Sequence, residues 1–245
     1  MRTEFCSAVT KRIEMTGISM ALLVAVCFPV TGYTHGDVTP QAVDASSLPA
    51  LGDEWLVENP WRSPEDENWQ QAISVGASGY NQNCARCHGL EAVSGGLAPD
   101  LRALEADEFG DEWYVERFVN GYTQNGITKM PGFGEILSQE AAWAIRTYLE
   151  ARPADGALDE VEDQLKTYRD RLVDMTDNEV AVDDVAEELA NMRSAMTKIA
   201  TGVKTASGAP QADSVVSRAV AALDSSDTSI KRAAEVLTIG LSAAQ

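Results

Sequence analysis

Histidine and cysteine are scarce in this chain of 245 residues, which has only two His and four Cys. Three of these six residues lie together at residues 84–88, in the string CARCH. A zinc site needs four ligands, but Cys6 and Cys27 fall in an expected signal peptide, and only the distant His35 is left to add. A thioredoxin-like CxxC would need a βαβ context that the flanking sequence lacks. A disulfide within the motif stays open as an alternative.

Basic residues are also few, with 19 Lys and Arg against 38 Asp and Glu and a net charge of -19. Residues 37–154 hold 7 basic and 19 acidic groups, and residues 155–245 hold 9 and 17. Such a charge repels nucleic acid and anionic membrane surfaces. We therefore expect no nucleic-acid partner, and we expect protein partners with basic or neutral docking faces.

Apolar runs are missing after the first thirty residues or so. Residues 1–35 are typical of a signal peptide, with a basic start, an apolar stretch at residues 18–30 and small residues near an expected cleavage site at 34–36. The stretch is too short to span a bilayer comfortably, although retention as an N-terminal anchor is the alternative. The sequence thus predicts export to the periplasm, with no stable membrane span in the mature chain.

The CARCH string predicts covalent attachment of one haem c. Cys84 and Cys87 would form thioethers with the two haem vinyl groups, and His88 would be the proximal iron ligand. Export agrees with this reading, because c-type maturation takes place outside the bacterial inner membrane. The predicted role is electron transfer, with no catalytic residue.

Met130 is the candidate for the sixth iron ligand, in a predicted loop at residues 121–137. Gly132 and Gly134 are expected to let this loop approach the porphyrin closely. The carbonyl of Pro99 is expected to accept a hydrogen bond from Nδ1 of His88 and so fix the ring. If Met130 did not bind, the open sixth site would suit a haem enzyme or a gas sensor.

Helical periodicity predicts an all-α fold. Helices are expected at 65–83, at 111–119 with Asp111 as its cap, and at 138–151 with Ser138 as its cap; residues 36–62 read as an extended arm with Trp55 and Trp61 on the domain surface. Heptad seams follow at 158–175 and 182–203, then two shorter helices up to 241. Residues 154–245 thus predict an acidic helical extension, a bundle or coiled coil that packs on itself or on a partner. It could form a homo- or hetero-oligomer, or make the chain a structural assembly subunit.

Three strings, at residues 80–89, 94–101 and 129–133, resemble class I cytochromes c, and residues 35–43 resemble the mature N-terminus of one group of them. The resemblance is closest to periplasmic cytochromes that accept electrons from PQQ-dependent (quinoprotein) ethanol dehydrogenases. It implies a cytochrome c domain at 63–153, a quinoprotein alcohol dehydrogenase as electron donor, and a terminal oxidase or another cytochrome as acceptor. It also implies that the first and last helices of the domain cross at a glycine and an aromatic residue, places that Gly76 and Tyr148 fit. The chain beyond about residue 155 departs from the family pattern.

Overall fold

The structure is a computed structural model that describes residues 40–223 and 226–243. The predicted signal peptide, its cleavage region and His35 lie outside the described residues. The elements in chain order are α1 (Trp69–Asn83), α2 (Ala85–His88), α3 (Glu108–Asn120), β1 (Tyr122–Gln124), β2 (Ile127–Met130), α4 (Gln139–Glu150), α5 (Glu162–Asp177), α6 (Val182–Gly202), α7 (Val215–Ala222) and α8 (Asp227–Ala243). The all-α fold class is confirmed, with one small hairpin as the exception in the described part. No described helix has both the length and the apolar character to span a membrane.

The N-terminal arm has neither helix nor strand between residues 40 and 68. One expectation for it is wrong, because Trp61 is only 2% exposed and packs in a buried cluster with Trp143. The amide nitrogen of Gln139 donates to the backbone carbonyls of Gly52 and Glu54, at 2.7 and 2.9 Å. The arm therefore lies along the start of α4 and adds an indole to the core.

Helices α1 and α4 cross at Gly76 in close backbone contact. A Cβ at Gly76 would lie 1.9 Å from the carbonyl oxygen of Ala144 and 2.9 Å from the Cβ of Tyr148. No residue other than glycine fits such an approach. The crossing predicted for Gly76 and Tyr148 is confirmed.

The start of α3 differs from the prediction. Asp107, with φ of -144°, caps the helix by accepting a hydrogen bond from the N–H of Gly110 at 2.9 Å. Asp111 is instead buried in the first turn, where its carboxylate accepts from Arg146 at 2.8 Å and from Arg62 at 2.5 Å. A buried carboxylate needs such partners, so Asp111 ties the helix to the core and to the arm.

The segment expected to be a plain loop at 121–137 contains an antiparallel hairpin of β1 and β2. Asn125 and Gly126 form its turn, with φ of 53° and 74°. Asn-Gly is the preferred dipeptide for a two-residue hairpin turn, so the signal was present in the sequence. Met130 is the last residue of β2.

The C-terminal helices pack on one another around their own core, as their heptad seams predict. Met175, Met192 and Met196, expected to be core residues, are all buried. Helix α8 has 17 residues and is longer than expected from its weak pattern. The bundle therefore covers its apolar seams largely within the chain.

Candidate haem site

The CARCH motif forms a tight turn directly after α1. The N–H of Cys84 donates to the carbonyl of Tyr80 at 2.8 Å, and the N–H groups of Cys87 and His88 both donate to the carbonyl of Cys84, at 3.1 and 3.0 Å. Cys84 packs against the domain core, and both cysteines are free thiols without a disulfide. Burial, together with the neighbouring Cys87, raises the pKa of Cys84 to about 12. The turn brings the two thiols and the imidazole together, as the spacing predicts.

His88 is buried and held by one hydrogen bond. Its Nδ1 lies 2.9 Å from the carbonyl oxygen of Pro99. Because a carbonyl can only accept, Nδ1 carries the proton and Nε2 keeps the lone pair that an iron ligand needs. Burial lowers the pKa of His88, against the opposing effect of the Pro99 bond, and so favours the neutral ring. The contact expected of Pro99 is therefore present.

The backbone after His88 is fixed by a residue that the sequence did not single out for this task. The hydroxyl of Tyr80 donates to the carbonyl of Gly89 at 2.7 Å. Gly89 has φ of 85°, and a Cβ there would lie 1.9 Å from the carbonyl oxygen of Val93. The turn that leaves the motif thus requires a glycine and is anchored to α1.

Met130 is half-buried and packs against the domain core at the end of β2. Gly121 lies beneath it with φ of 70°, where a Cβ would be 2.4 Å from the carbonyl oxygen of Met130. Gly132 and Gly134 are also required by the packing of the protein itself, because a Cβ at either position would collide with Val119, at 2.6 and 2.8 Å. These glycines let the Met130 segment lie against the end of α3.

Phe133, which was not among the predicted site residues, anchors the same segment. It is 3% exposed, its N–H donates to the carbonyl of Phe118 at 2.7 Å, and the two rings lie 5.6 Å apart. An aromatic residue two positions after a Pro in a glycine-rich loop was the available signal. Phe133 fixes the backbone three residues after Met130.

Both segments that carry candidate ligands expose large apolar side chains. Leu90, Val93 and Leu97 follow the motif, and Ile127 and Ile136 flank Met130; each is between 49% and 75% exposed. Exposed aliphatic side chains mark a contact surface where they form one contiguous patch. We call these five residues the apolar rim.

The donor set fits a covalently attached haem better than a bare metal ion. No group of three or more His, Cys, Asp or Glu in the described residues is arranged to hold a metal. The chain offers instead two thiols, of which Cys84 packs against an apolar core, one neutral imidazole, and one thioether at the end of β2. Haem c takes such a combination of attachment and axial groups.

Comparison with known proteins also supports a haem-binding domain of the cytochrome c type. Residues 71–149 match the family described as cytochrome C oxidase, cbb3-type, subunit III. Cytochrome c550 of Pseudomonas aeruginosa is 51% identical over 136 residues, which cover 56% of this chain and 93% of the relative. Quinohemoprotein alcohol dehydrogenase ADH-IIG of Pseudomonas putida is 33% identical over 94 residues, 38% of this chain but 12% of that enzyme. The cbb3-type cytochrome c oxidase subunit FixP of Rhizobium meliloti is 27% identical over 124 residues, 44% of this chain and 38% of that subunit. No solved structure gives a significant match.

Proposed function

This chain belongs to the cytochrome c family, and we propose that it accepts electrons from a PQQ-dependent alcohol dehydrogenase in the periplasm and passes them towards a terminal oxidase or another cytochrome. It is an electron-transfer protein that binds haem c covalently, and it is not an enzyme. The likeness to part of a quinohemoprotein alcohol dehydrogenase supports the choice of donor. The name of that relative indicates that a domain similar to this one occurs in an alcohol dehydrogenase that carries both a quinone and a haem.

In this proposal, Cys84 and Cys87 would hold the haem, while Nε2 of His88 and the thioether of Met130 would bind its iron. The haem supplies a reversible one-electron change, and a thioether opposite an imidazole raises its reduction potential. The observation that carries the assignment is the His88–Pro99 hydrogen bond of 2.9 Å, which leaves Nε2 available. Occupied axial positions would leave no open site for a gas or a substrate.

Two features would guide the donor to this site. The acidic surface would attract a basic docking face and could raise association rates by roughly 10–10³. The apolar rim would then exclude water at the contact, close to the haem-bearing segments. Long-range attraction would be weakened by salt, while the rim contact would not.

The experiment is rapid-mixing reduction of the full haem-loaded chain by a purified quinoprotein alcohol dehydrogenase and its alcohol. We expect the second-order rate to fall as ionic strength rises, whereas reduction by a small neutral reductant should not change. Leu90→Ser should slow the enzyme reaction, and Val57→Ser provides a matched control, because both residues are 75% exposed but Val57 lies in the N-terminal arm. Failure of the dehydrogenase to reduce the chain faster than the neutral reagent does would refute the proposed donor.

We also propose that residues 154–245 are an acidic helical extension that associates with a second copy or a redox partner. Support comes from the exposed charges of α5 and α6, such as the pair of Arg171 and Glu188. Because the apolar seams of α5 to α8 are buried against one another, association would use the charged outer faces of α5 and α6. In sedimentation, a complex with the dehydrogenase should dissociate as salt rises, whereas self-association of two acidic extensions should strengthen, because salt screens their mutual repulsion. A monomer under all conditions, alone and with the dehydrogenase, would exclude this role.

A further inference from the structure

The end of α4 is completed by the C-terminal part of the chain. The last carbonyls of a helix have no partner inside the helix. Here the hydroxyl of Ser207 donates to the carbonyl of Glu150 at 2.7 Å, and the N–H of Asp213 donates to that of Ala151 at 2.8 Å. The N–H of Ala206 donates to the carbonyl of Arg152 at 3.1 Å. The segment 205–214 therefore supplies the hydrogen-bond donors for the carbonyls at the C-terminal end of α4 and just after it.

Arg152 is the side chain at the centre of this contact, and it is 1% exposed. Its guanidinium lies 4.1 Å above the ring of Tyr148, and its Nε donates to the carbonyl of that residue. One terminal nitrogen forms an ion pair with Asp213, and the other donates to Glu91 at 2.6 Å. A buried cation requires such charge partners. The orientation of Arg152 therefore depends on Glu91, which follows the haem motif, and on Asp213, which precedes α7.

Glu91 connects this guanidinium to the haem site. It lies three residues after His88, and both Glu91 and Ala92 have left-handed backbones, with φ of 54° and 64°. Residues other than glycine keep this strained conformation only where their surroundings hold them. The ion pair from Arg152 is the strongest contact that the structure gives the Glu91 side chain.

We propose that Arg152 is a positioning residue through which the C-terminal helices set the haem environment. Asp213 orients the guanidinium, the guanidinium holds Glu91, and Glu91 fixes the strained turn between His88 and the Pro99 carbonyl that orients the imidazole. The helical extension would then act on the iron through His88, without supplying a ligand. The inference rests on the proposed role of His88 as axial ligand, but it does not depend on the identity of the donor.

The test uses electrode measurements of the reduction potential of the full haem-loaded chain. Asp213→Asn and Glu91→Gln each remove one negative charge with little change of shape, and so does Glu188→Gln. Glu188 is the matched control, because it pairs with Arg171 inside the helical extension. We expect both test variants to shift the potential well beyond the control. Arg152→Lys should shift it too, since an ammonium lacks the planar fork that holds two carboxylates.

The double variant separates positioning from simple electrostatics. If Asp213 and Glu91 act through the Arg152 guanidinium, Asp213→Asn with Glu91→Gln should shift the potential no further than the larger single change. The same result is expected in an Arg218→Gln background, which removes the second guanidinium that contacts Asp213 at 2.9 Å and Glu91 at 3.7 Å. Additive shifts, or single variants that match Glu188→Gln, would overturn the proposal. Because Glu91 is 58% exposed, its variant should fold even if that of Asp213 does not. The electrode replaces the dehydrogenase, so failure of the proposed donor would leave this test intact.

Discussion

Replacing Gly76 by alanine tests the packing that positions the haem motif. Helix α1 ends directly before Cys84, and its Gly76 touches the backbone of α4. The added methyl carbon would lie 1.9 Å from the carbonyl oxygen of Ala144. Neither atom belongs to a flexible side chain, so local rearrangement cannot relieve the clash.

The expected loss of stability follows from how far the two helices must separate to relieve this contact. Carbon–oxygen contacts between packed backbones normally lie near 3.3 Å, so α1 and α4 must separate by about 1 Å or more. Overpacking costs roughly 1–3 kcal/mol in a well-packed core, and two buried helices are displaced here. We expect a loss of about 3 kcal/mol, which corresponds to a fall in Tm of roughly 6–12 °C for a chain of this size.

The assay is thermal and urea unfolding of the haem-loaded protein, followed by circular dichroism and by the haem absorption. Gly95→Ala is the matched control, because Gly95 has no atom within 4 Å of a built Cβ and lacks a positive φ. It should change stability by less than about 0.5 kcal/mol. A Gly76→Ala protein as stable as the Gly95→Ala control would show that α1 and α4 do not pack closely at Gly76.

Two smaller perturbations follow from capping and charge. Ser138→Ala removes the oxygen that accepts the N–H of Ala141 and should lower the free energy of unfolding in urea by about 1 kcal/mol; no change would mean that the cap is not formed. The pKa of Asp213 lies below its ordinary value of 3.8: burial raises it, but the nearby Arg152 and Arg218 lower it by more. A lowered pKa adds stability above pH 3.8 that is lost as the pH falls through the folded value, by up to about 1.4 kcal/mol per pH unit. Asp213→Asn should flatten this part of the acid-unfolding profile, and an identical profile would contradict the pairing.

Local patterns predicted much of the fold. The CARCH turn, the Ser138 cap and the Gly76 crossing depend on short motifs or on a family pattern, and the structure contains each of them. The heptad seams predicted the buried methionines of α5 and α6, because a 3.5-residue period leaves few choices of inner face.

The errors arise where distant parts of the chain decide the outcome. Asp107 and Asp111 both suit a helix cap, and only the buried position of Arg146 shows that Asp111 is needed inside. Trp61 lies in a stretch without periodicity, so its burial against Trp143 could not be deduced from spacing. The pairing of Arg152 with Asp213 joins residues 61 positions apart, and no local pattern marks it.

The most direct test of this account is a redox titration of the full haem-loaded chain. We predict one reversible single-electron step, about 59 mV per tenfold change in the ratio of the two forms. The step should move to lower potential in Met130→Ala and stay in place in Met175→Ala, which removes a thioether from the helical core. Two steps in the native protein, or a Met130→Ala curve that overlies it, would contradict a monohaem carrier with Met130 on its iron.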